Sequence, residues 1–466
     1  MRYIIALFFF LIPLHAFLIT TLKCGIWINT NIIRFWKEIV IILLLLYTIF
    51  YVLKKYKFKI SKIYKNNYIL WTITAFSFVS FIYIFFPFNF IYLIDAYNKY
   101  WFNLEITKNF ISSLNFKSAL LWFKYDVFFL FAVLIWFYLP IIKNNIKLYL
   151  KSIFASIIII FIVFIPVFLS NYTQDFYTFF GYSNHVSTYN PNSCITFSQN
   201  VEWGHFRFQA SFWWPIRFSV FLVVYYLLFL WFSLKYLKTR SKYLIIWIFS
   251  ILTFISIFYS YSKTWVLGLI VWLSFFSYFF YKYKLWRKIK TKFIIYSSLI
   301  LSLPILSIIY IKKDLFLHLW AIINRFQNLN IAMQMFIQNP IWYWLWKAWP
   351  ASQLWKIIDY NYPNNSIFST QVHKFLPENW YVQILIEQGI LGFWLFLWII
   401  LMILYYLIKI AKNKKDFLSI WFLSSYIALI FMVNFTHWFE ESATSYTLFM
   451  LIWAYIAKNI KFKKKS

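Results

Sequence analysis

EIVIILLLLYTIFYVLKKYKFKISKIYK, Glu38 to Lys65, is the stretch that decides what kind of fold this chain can have. Its first part, Glu38 to Leu53, is an apolar run, and its second, KKYKFKISKIYK, sets lysines among aromatic and aliphatic residues. Apolar runs of roughly 17 to 25 residues cross a bilayer as helices, and lysine and arginine clusters beside them stay on the cytoplasmic side. The cluster is therefore read as cytoplasmic, and the N-terminus, one span earlier, with it. That earlier span, Tyr3 to Leu22, follows a lone Arg2 and shows no small-residue cleavage site, so it reads as a retained helix rather than a signal peptide.

The same alternation continues along the chain. Further spans read at 68–90, 119–141, 150–170, 216–234, 243–260, 264–281, 294–311, 383–408, 417–434 and 443–458, giving about twelve transmembrane helices. The loops that fall inside are IKNNIKLYLK, KYLKTRSK, YKYKLWRKIKTK, KIAKNKKD and the tail KNIKFKKKS, and every one is basic. The loops that fall outside are 171–215, the larger 312–382 between helices 9 and 10, and a moderate one near 95–118. The expected fold is all-α: one polytopic integral membrane helix bundle over residues 1–466, in the cytoplasmic membrane, with both termini cytoplasmic and its polar loops extracytoplasmic.

Composition agrees and excludes other classes. Hydrophobic residues make up 63% of 466, and the mean hydropathy is +0.68, whereas a soluble domain holds about 45–50% apolar residues. The charge of +32 would suggest nucleic acid in a soluble protein. Here the basic residues sit between apolar runs, so topology accounts for them and no nucleic-acid partner is expected. Glycine occurs 6 times and tryptophan 26 times, against a glycine usage of about 7% in ordinary chains. We read this as UGA codons that specify glycine in the source organism and are written here as tryptophan; a tryptophan-rich chain from an AT-rich genome is the other account. Cys24 and Cys194 both fall in outer loops, where disulfides persist, but they are read as unpaired.

Titratable groups gather on the outer side. Only His15 of the six histidines lies in a span, while His185, His205, His318, His373 and His437 fall outside, without metal-ligand spacing. No phosphate-cradling glycine-rich loop is present, and neither metal nor cofactor is expected. Four stretches carry candidate chemistry. WFKYDVFFL (Trp122–Leu130) holds Lys124 and Asp126, read as interfacial charges that snorkel or pair. HFRFQASFWWPIRFSVFL (His205–Leu222) holds Arg207 and Arg217, whose planar guanidinium groups suit phosphate oxygens. SYSKTWVLGLIVW (Ser260–Trp272) opens a span with Lys263 beside Ser262 and Thr264. The region from His318 to Phe393 carries Arg325, an Asn339-Pro340 stop, an aromatic run WYWLWKAW, His373 and PENWYVQILIEQGILGF. Read with glycine at Trp342, Trp344, Trp346 and Trp349, that run becomes a flexible turn through which backbone N–H groups could approach a polar ligand.

NPIWYWLWKAWPAS and ENWYVQILIEQGILGFWLFL together resemble the signature of the O-antigen ligase and O-antigen polymerase superfamily. RFQASFWWPIRFSVFL and SKTW are similar to the family's arginine-containing stretch and to its span start. The resemblance implies about twelve helices with both ends cytoplasmic. It implies transfer of a glycan from undecaprenyl pyrophosphate to an acceptor sugar hydroxyl on the outer face of the inner membrane. It implies that Arg207 and Arg325 hold the pyrophosphate and that Glu378 stands where ligases usually carry histidine. His373, five residues earlier, is the other candidate base, so ligase and polymerase both stay open. Lys263 and Arg217 are further candidate phosphate contacts, and His437 with Glu440 and Glu441 could assist from the last outer turn.

The chemistry is coherent without the family. A glycosyl pyrophosphate is already activated, so transfer needs cations to stabilise the leaving diphosphate and one group to take the acceptor's proton. The rival reading is a many-helix transporter or flippase of lipid-linked oligosaccharide, which would put its polar groups inside the spans and often show related halves. The polar groups legible in the sequence lie mainly in outer loops, and no internal repeat is evident.

Overall fold

The computed structural model describes residues 2–26, 35–56, 67–85, 123–137, 145–182, 207–236, 242–283, 379–434 and 442–460, except 171, 213–214 and 261–262, with a few isolated positions besides. The described elements are all helical. The first rod is built from α1 (Arg2–Leu11), a 3₁₀ turn at Ile12–Leu14, α2 (His15–Thr20) and a π turn at Thr21–Gly25. Pro13 sits in the 3₁₀ turn, where the missing N–H and fixed φ of proline interrupt a regular ladder. Then come α3 (Trp36–Tyr56), α4 (Tyr68–Phe85), a 3₁₀ turn at Val127–Leu130 leading into α5 (Phe131–Phe137), α6 (Ile146–Leu169) and α7 (Thr173–Phe179). The rest is α8 (Pro215–Tyr236), α9 (Lys242–Tyr259), α10 (Lys263–Lys282), α11 (Trp380–Lys414), α12 (Phe417–Met432) and α13 (Ser442–Asn459).

Four of these stretches, Arg2–Gly25, Trp36–Lys54, Ile146–Leu169 and Trp380–Lys414, are long and apolar enough to cross a membrane. Their exposed faces are as apolar as their buried ones: Ile42, Leu43, Leu46 and Phe50 of α3, and Leu391, Trp394 and Trp398 of α11, point outward. Water would penalise such faces and lipid does not, which is how a helix hydrophobic on all sides reads. The expected span 294–311 and the outer loop near 95–118 lie outside the described residues, as does 312–382 apart from isolated positions and its last few residues.

Inside the bundle, helices approach through small residues and polar bridges. Gly268 of α10 faces Met432 of α12 so closely that an added Cβ would overlap its sulfur, and Trp272 Nε1 donates to Ser425 Oγ at 3.0 Å. Trp421 Nε1 donates to Val224 O of α8 at 3.1 Å, and Tyr225 shares a hydrogen bond with Thr447 of α13. In α1, Phe9 stacks on Tyr149 of α6 at 5.3 Å.

Helix ends that the basic clusters assign to one side also meet in space. On the expected inner side, Asp416 caps α12 through Ser419 N at 2.8 Å and receives Tyr455 Oη of α13 at 3.4 Å. On the opposite side, Trp380 N donates to Val433 O at 3.2 Å and Phe208 N donates to Tyr259 O at 2.8 Å.

One expectation needs correction. Cys24 is disulfide-bonded, not free, and Cys194 is the chain's other cysteine. Cys24 lies in the π turn, against which the end of α7 packs so tightly that a Cβ on Gly181 would meet the backbone of Cys24 and Gly25. Within the segment 171–215, α7 and the strap 207–212 fold back onto the helices.

Candidate functional site

Two polar constructions stand out. The first is the strap Arg207–Phe212, which crosses the ends of several helices and is pinned along its length. Arg207 Nε donates to Ser260 O at 2.9 Å, and the next residue, Phe208, donates its N–H to Tyr259 O. Tyr177 Oη donates to Ala210 O at 3.0 Å, Ser211 Oγ to Pro13 O at 2.7 Å, and Phe17 N to Ser211 O at 3.2 Å. Ala210 is held at φ 50°, a left-handed conformation that disfavours a side chain, so the surrounding bonds impose it.

The strap joins two stretches that the sequence offered separately, RFQAS and SYSKTW. Arg207 is partly buried at the turn between α9 and α10, and that burial pushes its guanidinium down to about 10, still charged at neutral pH. Lys263 is the first residue of α10, so it follows this turn directly. Arg217 lies in the first turn of α8, half-buried, ten residues beyond Arg207.

Gln209 is the strap residue that sequence reasoning did not weigh. It is 2% exposed, and neither its amide nitrogen nor its amide oxygen has a hydrogen-bond partner. Each buried unsatisfied polar group costs about 1–3 kcal/mol, so replacing the amide with an apolar side chain of similar volume should stabilise the fold. We expect Gln209→Leu to raise the Tm of the purified protein while lowering its activity. An unchanged or lower Tm would show that the amide is satisfied in the folded protein.

The second construction lies inside the bundle. Asn379 caps α11, its side chain accepting from Val382 N at 3.1 Å. Ten residues on, Gly389 adopts φ 61° and ψ −168°, which breaks the helical geometry near the start of the expected tenth span. Glycine is needed there because L side chains resist that conformation. Immediately before the break, Gln388 Nε2 donates to Asp126 Oδ2 at 2.5 Å, and Gln388 Oε1 accepts from Ser80 Oγ of α4 at 3.1 Å. Gly392 makes room for this: a Cβ there would overlap the Gln388 side chain. One turn earlier, Gln383 Nε2 donates to Glu387 Oε2 at 3.3 Å, and the Glu387 carboxylate repels that of Asp126. Ser80, Asp126, Gln383, Glu387 and Gln388 are all buried.

This separates the charges of WFKYDVFFL. Lys124 pairs with Glu38 of α3 at 3.3 Å, as an interfacial charge would, whereas Asp126 turns into the bundle and serves the kink of α11. The signal was present in the sequence as IEQG, an acidic and an amide-bearing position inside an apolar span, which is costly in lipid unless partnered. Arg325, His373 and Glu378 lie outside the described residues, as do His437, Glu440 and Glu441. His15, in the first rod, accepts from Trp36 Nε1 at 2.8 Å. Among the described residues no group of three or more histidine, cysteine or acidic side chains is placed to hold a metal ion.

Compared with known proteins, the chain matches no family model, no curated protein and no solved structure.

Proposed function

We propose that this chain is a membrane glycosyltransferase of the O-antigen ligase or polymerase kind. It moves a glycan from an undecaprenyl-pyrophosphate carrier to an acceptor sugar hydroxyl on the outer face of the cytoplasmic membrane. About twelve spans carry it, with both termini cytoplasmic and the large outer loop between helices 9 and 10. The donor and acceptor are a lipid-linked glycan and a glycan or glycolipid, and the reaction needs neither metal nor cofactor.

The observation that carries this reading is the joining of the Arg207 strap to the α9–α10 turn. It sets a charged guanidinium, held by its Nε on Ser260 O, beside the helix that begins at Lys263. A positive helix end and a fixed fork of N–H donors suit a diphosphate whose charge grows as the sugar leaves. In this mechanism Arg207 and Arg325 clasp the pyrophosphate, Lys263 and Arg217 add positive charge, and Glu378 or His373 takes the acceptor's proton.

The buried cluster at the α11 kink favours a second reading, a flippase or transporter of lipid-linked oligosaccharide. Such proteins place polar groups within the spans at broken helices, as Asp126, Glu387 and Gln388 are placed. The two readings part on one bond. Reconstituted protein supplied with undecaprenyl-pyrophosphate-linked glycan and acceptor should release undecaprenyl pyrophosphate and lengthen the acceptor. Passage of the intact glycolipid across the bilayer without release would establish the transporter instead.

A further inference from the structure

The outward face of α11 changes character along its length. Leu391, Trp394, Trp398, Leu401 and Tyr405 are all exposed and recur at intervals of three and four residues, so they form one stripe along the helix. The opposite face, with Phe396, Ile399, Ile403 and Leu407, is buried against the bundle. Continued at the same spacing, the stripe reaches Lys409 and Lys412, both exposed. The Lys409 ammonium lies 5.8 Å from the centroid of the Tyr405 ring, within reach of a cation–π contact that keeps it on the stripe. One helix face thus passes from aliphatic and indole side chains, through a tyrosine, to two ammonium groups.

Length puts that change at the membrane surface. From the break at Gly389 to its end at Lys414 the rod is about 37 Å long, more than the ~30 Å hydrocarbon layer, so its last turns emerge among the headgroups. α4 marks the same level independently. It runs antiparallel to α11, with Ser80 on Gln388 at 3.1 Å and the ring of Phe76 on that of Phe396 at 5.9 Å. Its first turn, with Tyr68 and Trp71 exposed, therefore comes alongside the lysine end of α11, and tyrosine and tryptophan settle at the membrane–water interface. Asp416, the acid that follows these lysines in the chain, is turned toward Ser419 N and Tyr455 Oη.

From this geometry we infer a binding site for an anionic phospholipid of the surrounding leaflet, its headgroup phosphate held by Lys409 and Lys412 and its acyl chains lying along Tyr405, Leu401 and Trp398. The paired ammonium groups select a headgroup with net negative charge over a zwitterionic one. The apolar stripe that leads into them selects a lipid over a soluble anion, since a lipid covers both surfaces at once. By the basic clusters this leaflet is the cytoplasmic one. A lipid bound there fixes the height of α11 in the bilayer, and with it the level of the Gly389 kink and of the Asn379 cap at the other end of the helix. The site is remote from the strap and holds whether the chain transfers glycans or moves them.

The test is native mass spectrometry of the purified, detergent-solubilised full chain, titrated with phosphatidylglycerol or with phosphatidylcholine of the same acyl chains. Phosphatidylglycerol is expected to bind at least about tenfold more tightly, and inorganic phosphate in excess should not displace it. The double variant Lys409→Gln, Lys412→Gln should reduce that preference to less than about threefold. A matched control removes the same charge from the start of α6, through Lys147→Gln and Lys151→Gln, and should keep the preference. All four lysines are exposed, so neither variant disturbs the packing of the bundle. Equal binding of the two lipids by the unmutated protein overturns the proposal. Displacement by inorganic phosphate makes this a site for a free anion and overturns the lipid as its occupant. A preference that survives in the α11 variant, or falls equally in both variants, overturns the location and leaves only diffuse attraction between a basic face and an acidic leaflet.

Discussion

Replacing Arg207 with alanine is expected to lower glycan transfer by at least about a hundredfold while the protein remains in the membrane at its normal level, because removing one preorganised donor to developing charge typically costs that much. The structure explains why the effect should be local. Arg207 holds the strap to Ser260 through its Nε, while Phe208, Ala210 and Ser211 hold it through bonds that do not involve the guanidinium. The strap should therefore survive the substitution and the cation alone be lost. Arg207→Lys sharpens the test. Lysine keeps the charge but presents no planar fork and cannot reproduce the Nε bond to Ser260 O, so transfer should fall about tenfold or more rather than recover. With the guanidinium pushed down only to about 10, its charged form is lost only as pH rises through that value, so titration of Arg207 should give transfer no pH dependence near neutrality. The measurement is the amount of acceptor-linked glycan per unit of membrane-inserted protein. Unchanged glycan in Arg207→Ala would remove the pyrophosphate role and with it the main support for the proposed reaction.

Much of the fold was legible because lipid enforces simple rules. The apolar runs ending at KKYKFKISKIYK and at KIAKNKKD read directly as α3 and α11, since length and hydropathy suffice for a membrane helix. The fine structure was not legible, since it depends on contacts distant in sequence. Nothing near Asp126 announces that its partner is Gln388, 262 positions away, and an aspartate near a span end reads more readily as interfacial. IEQG could have been suspected from polarity alone, but only the Gly389 dihedral shows that the helix breaks there, and only the close approach of Gly392 shows why a second glycine follows. Gln209 was hidden for the opposite reason: a glutamine in a loop is ordinary until its burial and its missing partners are known. The tryptophans divide in the same way. Trp272 and Trp421 are fully buried with their N–H groups satisfied, so they fit as written, whereas Trp453 is buried with its N–H unsatisfied. Trp342, Trp344, Trp346 and Trp349, for which glycine was expected, lie outside the described residues.

The proton acceptor provides the other large effect. Glu378 immediately precedes Asn379, the residue whose side chain caps α11, so the helix that carries the kink begins one residue after it. His373 is six residues ahead of the cap. Proximity to that fixed cap favours Glu378, because a general base must be held within hydrogen-bond reach of the hydroxyl it deprotonates. Glu378→Gln should then lower transfer by about 10²- to 10⁴-fold, the contribution of a positioned base, while His373→Ala changes it less than about threefold. The pH profile separates the candidates without any mutation. A glutamate with an ordinary pKa near 4.3 is fully ionised at pH 6, so transfer would hold steady from neutrality down to that point; an imidazole, near 6.5, would already be losing its basic form. Glu378→His completes the argument, since an imidazole at this position should restore transfer lost in Glu378→Gln and shift the acid limb of the profile upward by about two pH units. Full transfer in Glu378→Gln, together with loss in His373→Ala, would reverse the assignment and move the acceptor's hydroxyl away from the end of α11.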